Sequence, residues 1–208
     1  MILIGQYDSP FVRRVGIALT WYRLDFEHRP WSTFGDAEAI ATYNPLRRVP
    51  TLVLDDGMVL TDSLTILEVL DELVGPEAAA LARNGAERRD MLRIAAFAAG
   101  AADKGVSLVY ERAFREGLPM WVDRCRAQVS DTLDLLDHER ASRGDWLFGD
   151  RPSHADVILA TMFRFVSEAL TGNFDMARWP ALQRHSETCE ALPQFQAVAQ
   201  PYLLALPD

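Results

Sequence analysis

Ile2-Leu3-Ile4-Gly5-Gln6-Tyr7-Asp8-Ser9-Pro10-Phe11-Val12-Arg13-Arg14 places a strand, a turn and a helix start in one short stretch. Ile2 to Tyr7 is an apolar run of strand length, and Asp8-Ser9-Pro10 stops it. Ser at the N-cap and Pro at the first helical position form a strong start pair, because Ser accepts an orphan N–H and Pro has none to lose. Phe11, Val15, Ala18, Leu19 and Tyr22 then recur at helical spacing. Taken alone, Ser9-Pro10 specifies a well-capped helix and nothing more. Its location adds a functional expectation. The point where a strand hands over to a helix is where α/β sheets take ligands, and the free N–H groups and dipole there favour an anion. A thiolate is such an anion.

Working outward, Phe26 to Trp31 reads as a second strand, with Phe26, His28 and Pro30 on one side. Thr51-Leu52-Val53-Leu54 is β-prone, Asp55-Asp56-Gly57 is a hairpin signal, and Met58-Val59-Leu60 is the returning strand. From Ser63 onward, Leu64, Leu67, Leu70 and Val74 share one helical face, with Glu68, Asp71 and Glu72 away from it. The order is β-α-β followed by β-β-α. Residues 75–86 are Ala/Gly-rich and read as a linker. Beyond them strand signals vanish, and 86–116, 119–142, 153–170 and 180–191 read as helices. The expected architecture is a small α/β domain followed by an all-helical domain.

The chain has 208 residues, with 21 Lys+Arg against 30 Asp+Glu and a formal charge of −9. That balance opposes a nucleic-acid or anionic-membrane surface. No apolar stretch has membrane-spanning length and no charged leader precedes one, so a soluble cytoplasmic protein is expected. Cys125 and Cys189 are too few for a disulfide framework and suit a reducing compartment, as small buried hydrophobes. The four histidines lack metal-ligand spacing, so no metal is expected. Walker, Gly-x-Gly-x-x-Gly, Gly-x-Ser-x-Gly and Cys-x-x-Cys motifs are absent from the sequence.

Three further signals follow. In Asn44-Pro45-Leu46-Arg47-Arg48-Val49-Pro50-Thr51, Pro50 opens an apolar strand. That is an ordinary edge-strand start, or a cis bond that leaves the Val49 backbone free to pair with a peptide-like ligand. Thr61-Asp62-Ser63 precedes a helix without Glu or Gln three residues on. It is plain capping, or a helix start with donors to spare, where Asp62 meets an ammonium group. Ser153-His154-Ala155-Asp156 is a capping box before an apolar run, with a structural role whose loss costs on the order of 1 kcal/mol.

In this order and spacing the four segments resemble the cytosolic glutathione S-transferase family over essentially the whole chain, closest to bacterial serine-type members. The resemblance implies a thioredoxin-like domain over 1–76 and an all-helical domain over 86–208. It implies that Ser9 donates to the glutathione sulfur, with Tyr7 as the alternative because some classes use a Tyr nearby. Phe11, Arg47, Arg48, Val49, Pro50, Asp62 and Ser63 would complete the glutathione site: Val49 through its backbone, Asp62 and Ser63 at the γ-glutamyl end, Arg48 and Arg47 at the glycyl carboxylate. Phe11, Phe97, Gly100, Asp103, Lys104, Ser107 and Tyr110 would line a pocket for a small hydrophobic electrophile. Ser153 and Asp156 would be the family's buried cap. The implied function is conjugation of glutathione, as co-substrate, to an electrophile by a homodimer. Two departures stand out: Arg47 replaces the usual Gly, and Asp62 the usual Glu or Gln. Glutathione-dependent peroxide reduction, thiol-disulfide exchange and a non-enzymatic binding module are the alternatives. Family members doing thiol-disulfide exchange carry a Cys at the position of Ser9.

Overall fold

Ser9 and Pro10 start the first helix as their chemistry dictates, and the rest of the N-terminal architecture is arranged around it. The computed structural model describes residues 1–81 and 84–204. In chain order the elements are β1 (Ile2–Ile4), α1 (Pro10–Tyr22), β2 (Glu27–Arg29), α2 (Ala37–Ala41), β3 (Thr51–Val53), β4 (Val59–Thr61), α3 (Ser63–Val74), α4 (Gly85–Phe114), α5 (Pro119–Ala141), α6 (His154–Ala169), a 3-10 turn at Met176–Arg178, α7 (Pro180–Glu190) and α8 (Pro193–Ala197). Pro sits in the first turn of α1, α5, α7 and α8, where its missing N–H costs nothing.

The residues form two units: Met1–Ala80 together with the segment from Leu192 onward, and Leu81–Ala191. In the first unit the sheet runs β2-β1-β3-β4. β1 pairs parallel with β2 (Leu3 opposite His28) and antiparallel with β3 (Leu3 opposite Leu52); β3 pairs antiparallel with β4 (Leu52 opposite Leu60). The Asp55-Asp56-Gly57 hairpin forms as expected: Gly57 has φ of 88°, Leu54 N–H donates to Met58 O and Met58 N–H to Asp56 Oδ1, both at 2.9 Å. Helix α1 packs with α3 beside the sheet, burying Val12, Val15, Leu19, Ile66, Leu67 and Leu70. Ile4, Ile40 and Val53 form a second cluster, flanked by Ile2, Trp31, Tyr43 and Val49.

The structure differs from the sequence expectations at several places, among them β1, which ends at Ile4 rather than running to Tyr7, and the unanticipated α8. Strand β2 is shorter than 26–31, because Pro30 cannot donate and Trp31 N–H turns back to Arg29 O at 2.8 Å. Helix α2 has no residue-level periodic signal and forms around the single buried Ile40. Asp71 is buried rather than on the polar face of α3: it accepts from the Tyr22 hydroxyl and, at 3.3 Å, from Ala80 N–H, so Ile66 takes an inward position and Leu73 is left exposed. The expected second domain, 86–208, differs at its C-terminal end. From Leu192 the chain groups with the first unit, where Phe195 is fully buried and Arg13 donates to Val198 O and Phe195 O at 3.2 and 3.1 Å.

In the second unit α6 is apolar almost all round and fills the middle, packed by α4 and α7. Asp156, fully buried, accepts from Ser153 N–H (2.8 Å), Ser153 Oγ (2.6 Å) and Leu147 N–H (2.8 Å). The expected capping box is thus present and also ties the preceding loop. His185 lies beside it. Arg140 Nε donates to His185 Nδ1 at 3.0 Å, and arginine cannot accept, so the ring proton is on Nε2, 3.3 Å from Asp156 O. No helix among the described residues is long and apolar enough to cross a membrane.

Two outcomes follow. Asp156→Ala strands the buried N–H groups of Ser153 and Leu147, each worth about 1–3 kcal/mol, so urea unfolding should show a loss of about 3 kcal/mol or more. Burial, with Arg140 adding to it against the opposing pull of Asp156, holds the His185 pKa below the ordinary 6.5. The unfolded chain therefore binds a proton that the folded chain refuses. Stability from this source is complete above about pH 6.5 and declines as pH falls below it. Unfolding midpoints at about pH 7.5 and about pH 5.5 should differ less in His185→Gln than in the wild type.

Candidate functional site

The end of β1, the first turn of α1 and the loop before β3 converge at Gly5, whose φ is +128°. A Cβ there would lie 2.5 Å from Val12 Cγ2 and 2.8 Å from Val49 Cβ, so only glycine admits the approach. From that junction the loop 5–9 leads to Ser9, the N-cap of α1. Its hydroxyl accepts from Val12 N–H at a long 3.4 Å and keeps its own proton to donate.

Tyr7 sits differently. Its ring stacks on His28, with centroids 3.9 Å apart, and lies so close to α1 that a Cβ on Gly16 would meet it at 2.6 Å. Burial pushes the Tyr7 phenol up to about 12. A phenol held that firmly neutral is a weak acid.

The Val49-Pro50 bond is cis, as expected. Neither the N–H nor the C=O of Val49 forms a hydrogen bond among the described residues. The loop carrying it is organised by buried Asn44, whose side chain donates to Arg48 O (3.1 Å), Thr51 Oγ1 (3.0 Å) and Thr61 Oγ1 (3.2 Å) and accepts from Leu46 N–H (3.0 Å). Arg47, at φ of 50°, takes the left-handed conformation that glycine would adopt freely, and pairs with Glu38 at 3.1 Å. Arg48 is exposed and has no carboxylate partner among the described residues. The two arginines are therefore not equivalent: one is engaged, the other available.

Asp62, at φ of 67°, caps α3. Its Oδ1 accepts from both Leu64 N–H (2.9 Å) and Thr65 N–H (3.4 Å), so fewer donors are spare than the sequence suggested. Oδ2 accepts nothing from the described residues, and Ser63, buried at the first helical position, retains its N–H.

A recess is lined by Phe11, Leu46, Arg48, Val49, Pro50, Thr61, Asp62 and Ser63. It gathers six of the expected glutathione-site residues. Ser9 and Arg47 fall outside the lining, and Leu46 and Thr61 were not anticipated. Asn44, Leu46 and Thr61 belong to the Asn-Pro turn and the Thr-Asp-Ser cap already visible in sequence; their neighbourhood in space was not.

Arg14 is the residue that sequence reasoning missed. It is wholly buried, its Nε donates to Pro10 O at 3.1 Å, and its guanidinium lies 4.8 Å over the Phe11 ring. No described residue accepts from Nη1 or Nη2. Burial pushes its pKa down to about 9, against the favourable charge of Asp62, and it stays cationic at neutral pH. A fixed positive charge thus underlies the recess in an acidic chain.

In the second unit, Phe97, Gly100, Asp103, Lys104, Ser107 and Tyr110 fall along α4, with Phe97, Gly100, Asp103 and Tyr110 exposed. Lys104 pairs with Asp103 at 3.2 Å and lies 5.7 Å over Trp121, and Tyr110 meets Phe114 edge-on. Cys125 and Cys189 are free thiols, both fully buried, and burial raises the pKa of each. Among the described residues no group of three His, Cys, Asp or Glu side chains could hold a metal ion.

Comparison with known proteins gives the family. Residues 3–78 match the family model for the glutathione S-transferase N-terminal domain, and residues 119–188 that for its C-terminal domain. The GST-like protein YibF of Escherichia coli is 34% identical over 140 residues, 66% of this chain and 68% of its own length. Maleylacetoacetate isomerase of Pseudomonas aeruginosa is 29% identical over 213 residues, 94% of each chain. A glutathione S-transferase of Methylobacterium radiotolerans, solved with glutathione sulfonate, superposes with a TM-score of 0.91 at 29% identity, over 100% of this chain and 97% of that one. The chain belongs to the glutathione S-transferase family.

Proposed function

We propose that the protein is a glutathione transferase in which Ser9 activates the glutathione thiol for attack on a small hydrophobic electrophile. The observation that carries this reading is the composition of the recess. An unpaired cation (Arg48), an unpaired peptide group (Val49) and an acid at a helix start (Asp62-Ser63) lie along one surface. Glutathione carries complementary groups in that order: a glycyl carboxylate, a cysteinyl backbone, and a γ-glutamyl ammonium with its carboxylate. Arg48 takes the first, the Val49 N–H and C=O the second, and Asp62 Oδ2 with the start of α3 the third. Arg47, engaged by Glu38, has a lesser part. Pro50 and Phe11 shape the walls.

Ser9 is preferred over Tyr7 because its hydroxyl proton is unused in the cap, whereas Tyr7 is packed and held neutral. A free thiol titrates near about pH 8.5, and a helix N-terminus with a hydroxyl donor lowers that value. Ser9 and α1 provide both, and the buried Arg14 adds positive charge beneath Phe11. The thiolate then attacks the electrophile beside Phe11. Thiol-disulfide exchange lacks its nucleophile, since position 9 is Ser and both cysteines are buried.

The isomerase relative, aligned over 94% of each chain, favours a second reaction at the same site. That reaction is an isomerisation, as the relative's name states. A homodimer fits the apolar exposure of Met58 and Val59 at edge strand β4, and a cytoplasmic location fits two cysteines that form no disulfide with each other.

Three measurements test the reading. The protein should be retained on immobilised glutathione and should turn over at least one of an aryl halide, an epoxide, an isothiocyanate, a hydroperoxide or maleylacetoacetate with glutathione present. Ser9→Ala should lower kcat about 10²-fold or more, while Tyr7→Phe stays within about threefold; unchanged kinetics in Ser9→Ala would remove Ser9 from the chemistry. Arg48→Ala should raise the KM for glutathione about tenfold, the loss of one charge-assisted hydrogen bond, and Arg47→Ala much less.

A further inference from the structure

The loop that carries Ser9 is held from both sides, and one of its two holders comes from the far end of the chain. On the sheet side, Gly5 N–H donates to Arg29 O at 2.9 Å and Gly5 O meets His28 Nε2 at 2.8 Å. Within the loop, Ser9 N–H donates to Gln6 O at 3.2 Å. The two residues before Ser9 are fixed by the C-terminal segment. Tyr7 N–H donates to Gln200 Oε1 at 2.9 Å, and Leu203 N–H donates to Asp8 Oδ2 at 3.3 Å.

That segment is itself anchored to α1. Phe195 is fully buried under the Arg13 guanidinium, which lies 5.7 Å from its ring centre, and Arg13 donates to the carbonyls of Phe195 and Val198. Arg13 is 3% exposed, so these two acceptors replace water that its guanidinium has lost. Helix α8 and the residues after it are thus locked to the first turns of α1, and Gln200 is delivered to the Tyr7 peptide with little freedom.

We propose that Gln200 is a positioning residue for Ser9: by accepting the Tyr7 N–H it fixes the loop from which the Ser9 hydroxyl reaches the sulfur of bound glutathione. This rests on Ser9 being the activating group. Without an acceptor at position 200, the Tyr7 peptide is free to rotate toward water, and the residue two positions on moves with it. A misplacement of about 1 Å at a reacting centre can cost on the order of 10²-fold. The groups assigned to glutathione's two ends, Arg48, Asp62 and Ser63, lie on other elements and do not depend on Gln200.

The test needs no electrophile. Glutathione is titrated into the full-length protein, and the thiolate of bound glutathione is followed by its ultraviolet absorbance as a function of pH. Gln200→Met, which keeps length but removes the acceptor, should raise the pH at which the bound thiol ionises by about one unit, a tenfold change. The dissociation constant for glutathione, measured at a pH low enough that the bound thiol is protonated, should stay within about twofold of wild type, since the end-binding groups are untouched, while at high pH it should weaken about tenfold with the lost thiolate stabilisation. Gln200→Glu keeps an oxygen at the same reach and should restore the wild-type titration. A chain truncated after Ala199 should behave like Gln200→Met or worse. Gln200→Ala repeats the test should the methionine variant fold poorly, as judged by its melting curve.

Ser9→Ala and the double variant Ser9→Ala/Gln200→Met separate this proposal from the reading beneath it. If Gln200 acts through Ser9, the double variant titrates as Ser9→Ala does. An unshifted titration in Gln200→Met, or a double variant that loses more than Ser9→Ala alone, overturns the positioning role while leaving Ser9 in place. A wild-type titration in Ser9→Ala overturns the Ser9 reading, and the proposal with it.

Discussion

The close approach at Gly5 is the constraint on which the N-terminal unit depends. A strand leaving a sheet normally has room for side chains on both sides. Here the strand end, the first turn of α1 and the loop before β3 meet at one α-carbon, with Val12 and Val49 occupying the space a Cβ would need. Because those two side chains touch the same backbone atom, Ser9 on one segment and the Val49 peptide on another are held on the same end of the sheet. Gly16 repeats the device one level down, letting the edge of the Tyr7 ring come up against α1. Both positions trade the conformational order of a side-chain-bearing residue for proximity, which is the use to which glycine is suited.

Much of the fold was legible in the sequence because its signals are local. Ser9-Pro10 started α1 where expected, and the starts of α5 and α7 at Pro119 and Pro180 were visible for the same reason. The capping box at Ser153 and Asp156 formed as its spacing implied, and Asp55-Asp56-Gly57 turned as a hairpin. What the sequence did not show was set by contacts between distant residues. Asp71 looked like a solvent residue until Tyr22 and Ala80 supplied its partners. Arg13 and Arg14 are neighbours in the sequence, yet Arg13 donates to carbonyls of residues 195 and 198, and Arg14 is buried with two nitrogens that have no partner among the described residues. The return of the C-terminal segment onto α1 has no periodic signature. It depends on buried Phe195 and Val198 and on hydrogen bonds from Arg13, Tyr7 and Leu203.

Charge shows the same separation between global and local. A chain of formal charge −9 gives no hint of an anion site, and a sum over residues cannot. The recess is supplied by Arg48 at its rim, Arg14 beneath it and the start of α3 at its far end, while Arg47 is neutralised by Glu38. Position, not count, gives that surface its preference.

The two cysteines carry a final consequence. Thiols are the side chains most readily alkylated or oxidised, and they react through the ionised form. Cys125 and Cys189 are fully enclosed, and their surroundings disfavour the ionised form that reacts. The nearest candidate base, His185, lies 3.7 Å from the Cys189 sulfur, but its free nitrogen is turned to Arg140 and its protonated one faces the sulfur. The chain therefore withholds its own sulfur from such chemistry, by enclosure and by keeping it in the unreactive protonated form.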